Sequence, residues 1–311
     1  MKKYILKRIM ISACSLIVMM VILFLLLTLM PGSPFNDAKL DAAQKAVIAA
    51  KYGLDKPVLI RLWLYMKNVI KGDFGVSYVL SRDYPVSELL TSRIGVSVGI
   101  GFCSLLLGTV VGIALGLMAS VWEGRLPDHL AMGISVLGLA APAYVFAVLF
   151  CYYLGFKWRM FPLIYDLRAP LTSATLPILA SSVMIIAVIS RFTRDETLRV
   201  MQSDYVLFAR CQGMDKKTLI FGYVLRNALL PVVTVMGSLV VSLLTGTLVI
   251  EDMFAVPGIG SFMGEAILEN DYNVVLALSF VYAMIYIVVM LGVDIIYGIL
   301  DPRIRIAGKA E

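Results

Sequence analysis

Six long stretches without a single charged residue dominate this sequence, at residues 9–30, 94–122, 130–156, 169–190, 227–250 and 273–293. Each exceeds the ~20 residues that a helix rising ~1.5 Å per residue needs to cross ~30 Å of hydrocarbon. The expected fold is therefore all-α, a polytopic membrane protein with about six transmembrane helices. Composition agrees: 60% of the 311 residues are hydrophobic and 15% are charged, against roughly 25% charged in an ordinary soluble domain. A net charge of +6 would suit nucleic acid, but a mean hydropathy of +0.90 makes a basic, membrane-facing surface the better reading. Membrane lipid is thus an expected neighbour and nucleic acid is not.

The first stretch follows Lys2, Lys3, Lys7 and Arg8, as a signal peptide would. It is longer than the roughly 7–15 residues of a signal core, and no small-residue cleavage pattern follows, so a retained anchor is expected. Lysine and arginine then set the orientation, because short cytoplasmic loops accumulate them. With the N-terminus inside, the inner face receives the N-terminal cations, Arg125, Arg191, Arg194, Arg199, Arg210, Lys216, Lys217, Arg226, Arg303, Arg305 and Lys309; the short outer loops receive Lys157, Arg159 and Arg168. Both termini are expected in the cytoplasm.

The chain divides along its length into a cytoplasmic N-terminus with the first span (1–30), an extracytoplasmic helical insertion (31–93) and a five-helix core (94–311) that includes an inner loop at 192–226. The insertion reads as amphipathic pieces, one near 40–52 and one starting at Pro57, where proline suits a first helical turn; Gly72, Gly75 and Pro85 then break the pattern. In the second span Gly108, Gly112 and Gly116 recur every four residues, which puts three patches without side chains on one helical face and allows close helix contact in a bilayer. That contact is expected within this chain or with a partner subunit. Pro142, Pro170, Pro177 and Pro231 fall in or beside spans, where a missing backbone donor can kink a helix.

Catalytic and metal chemistry find little footing. Cys14, Cys103, Cys151 and Cys211 are far apart with no CxxC pair, and read as packing residues rather than a disulfide or metal framework. His129, the only histidine, has no nucleophile motif near it and reads as a surface residue. No GxxxxGK[ST] phosphate loop occurs, so this chain is not expected to hydrolyse ATP or to bind a cofactor. Asp294 ends the sixth span near the inner interface, where a charge needs a partner or water; Arg191 or a residue of a neighbouring subunit is the expected mate. The outer-loop carboxylates Glu251, Asp252, Glu265, Glu269 and Asp271 face no cation of their own loop and read either as an acidic rim for a partner or as solvated loop charges.

The inner loop is the most informative stretch. Residues 204–231, DYVLFARCQGMDKKTLIFGYVLRNALLP, resemble the cytoplasmic coupling loop of permease subunits of bacterial ABC importers, in the dipeptide and oligopeptide branch. Ala209 and Gly213 fall where that family keeps small residues, and Arg210, Lys216, Lys217 and Arg226 recur in the same general pattern. The family motif often begins with Glu, whereas Leu207 stands here. Further blocks resemble the same family in order: LMPGSPF at 29–35, GDFGVS at 72–77, IEDMFAVPGI at 250–259, AILENDY at 266–272 and VDIIYGILDPRIR at 293–305.

The resemblance, nearest to the first permease subunit of oligopeptide importers, implies a type I importer fold. It also implies a homologous second permease, two ATPase subunits that carry ATP and Mg, an extracytoplasmic substrate-binding protein, and transport by alternating access. It implies that Ala209, Arg210, Gly213, Met214, Lys216 and Lys217 serve ATPase coupling, and that Glu251, Asp252, Pro257 and Gly258 form an outer partner contact. Dipeptides, nickel chelates and glutathione are alternative cargoes within the branch. A secondary transporter would need an ion-coupling cluster and inverted repeats, neither of which is evident; a channel is distinguished by flux that does not require ATP.

Overall fold

The computed structural model describes residues 2–29, 47 and 50–300, with side chains described throughout except at 2–7, 241–242, 244–247 and 293–300. The expectations that rest on 30–46, on 301–311 and on the side chain of Asp294 lie outside the described residues. Among the described residues, five helical segments are long and apolar enough to cross a membrane: Arg8–Leu29, Val86–Val121, Pro170–Met201, Lys216–Val240 and Tyr272–Gly292. A sixth is reached only by counting as one span the pair Leu126–Ala140 and Ala143–Lys157, which bends by 107°.

That bend changes the expected third span. Helix α4 (Leu126–Ala140) ends at Ala141, and Ala141 and Pro142 are both extended, with ψ of 135° and 151°. Proline offers no N–H to continue the ladder and disfavours a helical residue before it, so the apolar run restarts as α5 (Ala143–Phe150) in a new direction and widens into a π-helical turn at Cys151–Lys157. Pro231, by contrast, sits inside a continuous helix.

The described chain forms two compact units, residues 1–97 with 257–291, and residues 98–256 with 292–311. They cut across the sequence division at 30 and 93, because the residues that fold together come from both ends of the chain. The first unit contains α1 (Lys2–Leu29), α2 (Val58–Ile70), the first turns of α3 (Val86–Val121), α9 (Ile259–Leu268) and the larger part of α10 (Tyr272–Leu300). Val86 and Leu90 pack there with Ile259, Phe262, Val274 and Leu278.

The turn before α3 is built by two blocks that are far apart in sequence. Gly72 and Gly75 both take φ of +77°, a region glycine enters without strain. Asp271, fully buried, accepts hydrogen bonds from Ser77 Oγ at 2.5 Å and from the N–H groups of Tyr78, Val79 and Leu80 at 3.0–3.2 Å. Asn273 Nδ2 donates to the Val76 carbonyl at 2.9 Å. The 72–77 and 266–272 blocks thus interlock through one carboxylate, whose charge is matched by convergent donors.

The second unit is organised around α6 (Thr175–Met201), which packs against α4, α5 and α8 (Leu225–Met253). The α3 glycines lie along it. A Cβ at Gly108 would stand 2.6 Å from Cβ of Ile185; one at Gly112 would stand 2.7 Å from Cβ of Ile189; one at Gly116 would stand 2.5 Å from the Ser190 carbonyl oxygen. All three glycines therefore face α6 of the same chain. Between α6 and α8 lie α7 (Asp204–Cys211) and a short helical stretch, Lys216–Thr218, that runs through a π-helical turn, Leu219–Val224, directly into α8.

Candidate functional site

The segment expected as an inner loop at 192–226 is mostly helix. Residues up to Met201 prolong α6 and those from Lys216 prolong α8, so only 202–215, with α7 at their centre, depart from the two long helices. Its charged residues make the whole stretch look separate in the sequence; the apolar residues between them instead close a small core of this chain. Val206, Ala209, Leu219 and Val224 are buried together, with Val200, Met201 and Met214 packed against them.

This core fixes what each expected coupling residue does locally. Ala209 is only 4% exposed and its small side chain lets α7 approach Leu219 and Val224, so its tight contact is inside this chain. Gly213 has φ of +80° with nothing within 4 Å of a built Cβ. The Gly213 N–H donates to the Arg210 carbonyl at 3.0 Å and the Met214 N–H to the Ala209 carbonyl at 3.3 Å, the paired bonds by which a left-handed glycine terminates a helix. Gly213 is thus a helix stop, and Met214 folds back onto the core. Asp215 caps the next helix by accepting from the N–H groups of Lys217 and Thr218, both at 3.1 Å; hydrogen bonding from Thr218, first through its side chain and then through its N–H, and from the Lys217 N–H holds its carboxyl below the usual range. Asn227 Nδ2 of α8 donates to Tyr205 Oη of α7 at 3.0 Å.

The outward face is apolar where it is not basic. Leu207 and Phe208 are 59% and 64% exposed and Phe221 is 66% exposed, although nearly every apolar neighbour in the loop core is covered. An open groove of about 390 Å³, which α7 reaches through Arg210, is lined by Trp122, Glu123, Arg125, Gln202, Arg210 and Lys216, so three cations face one carboxylate. Arg210 and Lys216 are among the residues the sequence singles out; Phe208 and Phe221 are not. Nothing in the sequence pattern separates Phe208 and Phe221 from the buried apolar residues around them; only their exposure does.

One further contact braces the site. Arg194 on α6 grips Asp128 at the start of α4 with Nε at 2.6 Å from one oxygen and Nη2 at 2.9 Å from the other, and the Gly124 N–H donates to the same carboxylate at 2.9 Å. Asp128 is buried, and this fork geometry holds the turn between α3 and α4 to the end of α6. Arg199 pairs with Glu196 one turn on.

The outer residues divide differently. Asp252 is exposed and Pro257 half-buried, but Glu251 is 1% exposed and Gly258 is buried. Glu251 is engaged within the fold and Asp271 is the cap described above, so neither forms part of a solvent-facing acidic rim; Asp252, Glu265 and Glu269 remain on the surface. Asp271 is buried because the backbone donors of Tyr78, Val79 and Leu80 meet its carboxylate, whereas Glu251 belongs to the last turn of α8. His129 is exposed, and among the described residues no group of three or more potential metal ligands occurs.

Comparison with known proteins places this geometry. Residues 112–306 match the family described as the binding-protein-dependent transport system inner membrane component, and residues 1–85 match the N-terminal part of such membrane components. The dipeptide transport system permease protein DppB of Lactococcus lactis subsp. cremoris is 35% identical over 98% of this chain and its own full length. The oligopeptide transport system permease protein OppB of Salmonella typhimurium is 33% identical over 98% of this chain and, again, its full length. Among solved structures, the inward-facing MetNI methionine ABC transporter aligns with a TM-score of 0.56 at 14% identity, covering 68% of this chain and 96% of that one; an amino acid ABC transporter gives 0.54 at 12% identity, covering 68% and 94%. With the profile spanning most of the chain and the relatives matched end to end, this chain belongs to the inner-membrane-component family of binding-protein-dependent transport systems and is a permease subunit of an ABC importer.

Proposed function

We propose that the chain forms one side of a translocation path for short peptides, with a homologous second permease forming the other, and that α7 receives the motion of an ATPase subunit. ATP and Mg are held by two ATPase partners, and an extracytoplasmic binding protein delivers cargo. The observation that carries the coupling reading is the pair Leu207 and Phe208, exposed on a helix whose other face is locked to its own chain and whose Arg210 enters a cationic groove. Apolar anchors with a charged rim are what a docked helix presents to a complementary, acidic-edged groove. The names of the full-length relatives, dipeptide and oligopeptide permeases, support peptides as cargo. The charge distribution supports termini on the cytoplasmic side.

Alternating access follows from this arrangement. Closure of the ATPase pair on ATP moves α7, α6 and α8 move with it, and the path opens outward; hydrolysis on the partners resets it. The residues Ala209, Gly213 and Met214 act here by shaping the element, while Leu207, Phe208, Arg210, Lys216 and Phe221 make the contact. Phe208→Asp is expected to leave the chain folded and inserted but to lower ATPase retention and abolish stimulation by loaded binding protein, as read by pull-down and by hydrolysis in the reconstituted complex. Lys217→Ala, at a rim position contributing under about 1 kcal/mol, is expected to do little. Wild-type retention and stimulation in Phe208→Asp refutes the assignment. Orientation is tested separately: in intact cells an impermeant reagent is expected to label Lys157→Cys and not Lys217→Cys, and the opposite pattern overturns it.

A further inference from the structure

The first unit holds a pocket that the transport reading does not use. It lies against the C-terminal end of α1, beneath α2, with a volume of about 220 Å³. Its polar lining includes Lys56, Arg61, Asn68 and four tyrosines, and among the described residues no carboxylate lines it. Its apolar floor includes Phe24, Leu27 and Leu276. One tyrosine stands out. Tyr65 Oη is inaccessible to solvent and has no hydrogen-bond partner among the described residues, a state that is costly for a hydroxyl unless a ligand completes it. Burial raises its phenol far above the ordinary value, so it is a donor at any physiological pH.

The helix that roofs the pocket is two-faced. Arg61, Tyr65 and Asn68 line the pocket, while Leu59, Trp63 and Ile70, spaced for one face of a helix, are exposed on the other side. Between Asp55 and Asp73 the chain carries Lys56, Arg61, Lys67 and Lys71 and no acidic residue. Lys67 Nζ lies 5.1 Å from the Trp63 ring centre. A basic helix with an exposed tryptophan and aliphatic face, next to the end of a membrane span, is built to lie in a lipid interface.

We infer that α2 lies in the membrane interface and that the pocket beneath it seats the phosphate headgroup of an acidic phospholipid, with Lys56, Arg61, Tyr65 and Asn68 as donors and the α1 side chains against its chain. The absence of any carboxylate in the lining favours an anion; the neighbouring apolar floor and exposed face favour one that carries hydrocarbon. Phosphate and carboxylate anions free in solution share the head chemistry, and the test separates them.

The full-length chain is placed in nanodiscs of phosphatidylcholine alone or with phosphatidylglycerol, and retained lipid is read by native mass spectrometry alongside thermal stability. Phosphatidylglycerol is expected to be retained preferentially and to raise the unfolding temperature. Arg61→Gln is expected to weaken that retention about tenfold, the scale of one charge-assisted bond. Tyr65→Phe is the sharper variant, because removing an unsatisfied hydroxyl is neutral or stabilising when nothing binds. It should therefore match or exceed wild type in phosphatidylcholine and lose about threefold or more of the phosphatidylglycerol retention, on the scale of one neutral hydrogen bond. Equal retention of the two lipids, or a Tyr65→Phe variant with undiminished phosphatidylglycerol retention, overturns the proposal. So does stabilisation of the phosphatidylcholine sample by millimolar inorganic phosphate or N-acetylleucine equal to that given by phosphatidylglycerol, since the ligand is then a free anion.

Discussion

Replacing Gly112 with alanine adds one methyl group at a place where the structure has no room for it. The new Cβ would stand 2.7 Å from Ile189 Cβ, 2.9 Å from Ile189 Cγ2 and 3.2 Å from the Ile186 carbonyl oxygen. Carbon atoms settle near 3.5–4.0 Å, so α3 and α6 must separate by close to 1 Å or Ile189 must leave its rotamer. Overpacking of this kind costs about 1–3 kcal/mol, and the better helix propensity of alanine returns about 1 kcal/mol. The net expectation is a loss of up to about 2 kcal/mol for Gly112→Ala and more for Gly112→Leu.

Gly133 is the internal control, because it is also helical but has nothing within 4 Å of a built Cβ; Gly133→Ala is expected to be neutral or stabilising by up to about 1 kcal/mol. Thermal unfolding of the purified chain in detergent, followed by tryptophan fluorescence, compares the two. If Gly112→Ala is as benign as Gly133→Ala, the close α3–α6 approach is not what holds this seam, and the argument from the missing Cβ fails.

Two other outcomes follow from the same unit. Arg194→Met strands the buried Asp128 carboxylate and is expected to cost about 3 kcal/mol, whereas the double change Asp128→Leu with Arg194→Met should cost less than either single change; a double-mutant cycle on thermal stability checks this, and additive losses refute it. The Asp215 cap has a pH signature. Its folded pKa is depressed below the ordinary 3.8, so its contribution is complete above that value and is lost as pH falls through the lower folded value. Hydrogen exchange at the Lys217 and Thr218 amides should therefore stay protected down to the ordinary carboxylate range and lose protection only below it, and Asp215→Ala should remove the protection at neutral pH.

Apolar periodicity and length were enough to read an all-α membrane fold, because lipid leaves so few solutions for uncharged runs of this size. The glycine spacing likewise named residues that face a neighbouring helix, since three glycines four apart have little other use on one face. What could not be read was where helices stop. The break at Ala141–Pro142 needs the backbone angles, since Pro231 in a similar apolar setting leaves its helix intact. Asp271 looked like a loop charge because its donors, at Ser77 to Leu80, are almost two hundred residues away in sequence. Around α7 the small residues stand out in the sequence, yet Ala209 and Gly213 serve the chain's own packing and turning. The exposed phenylalanines were legible only once burial was known.

The scarcity of loop around α7 sets how force is conducted. Two residues separate it from α6 and four from the helix that leads into α8, so a push on α7 finds no slack in which to dissipate. At ~1.5 Å per residue the α6 shaft is about 40 Å long, and its foot is pinned sideways by the Arg194 grip on Asp128. A displacement of an ångström or two at the foot must then reappear as a tilt along that shaft, and α8, tied to α7 through Tyr205 and Asn227, is dragged in the same stroke. Under the coupling proposed above, stiffness at the α7 end, rather than flexibility, makes this permease subunit a lever.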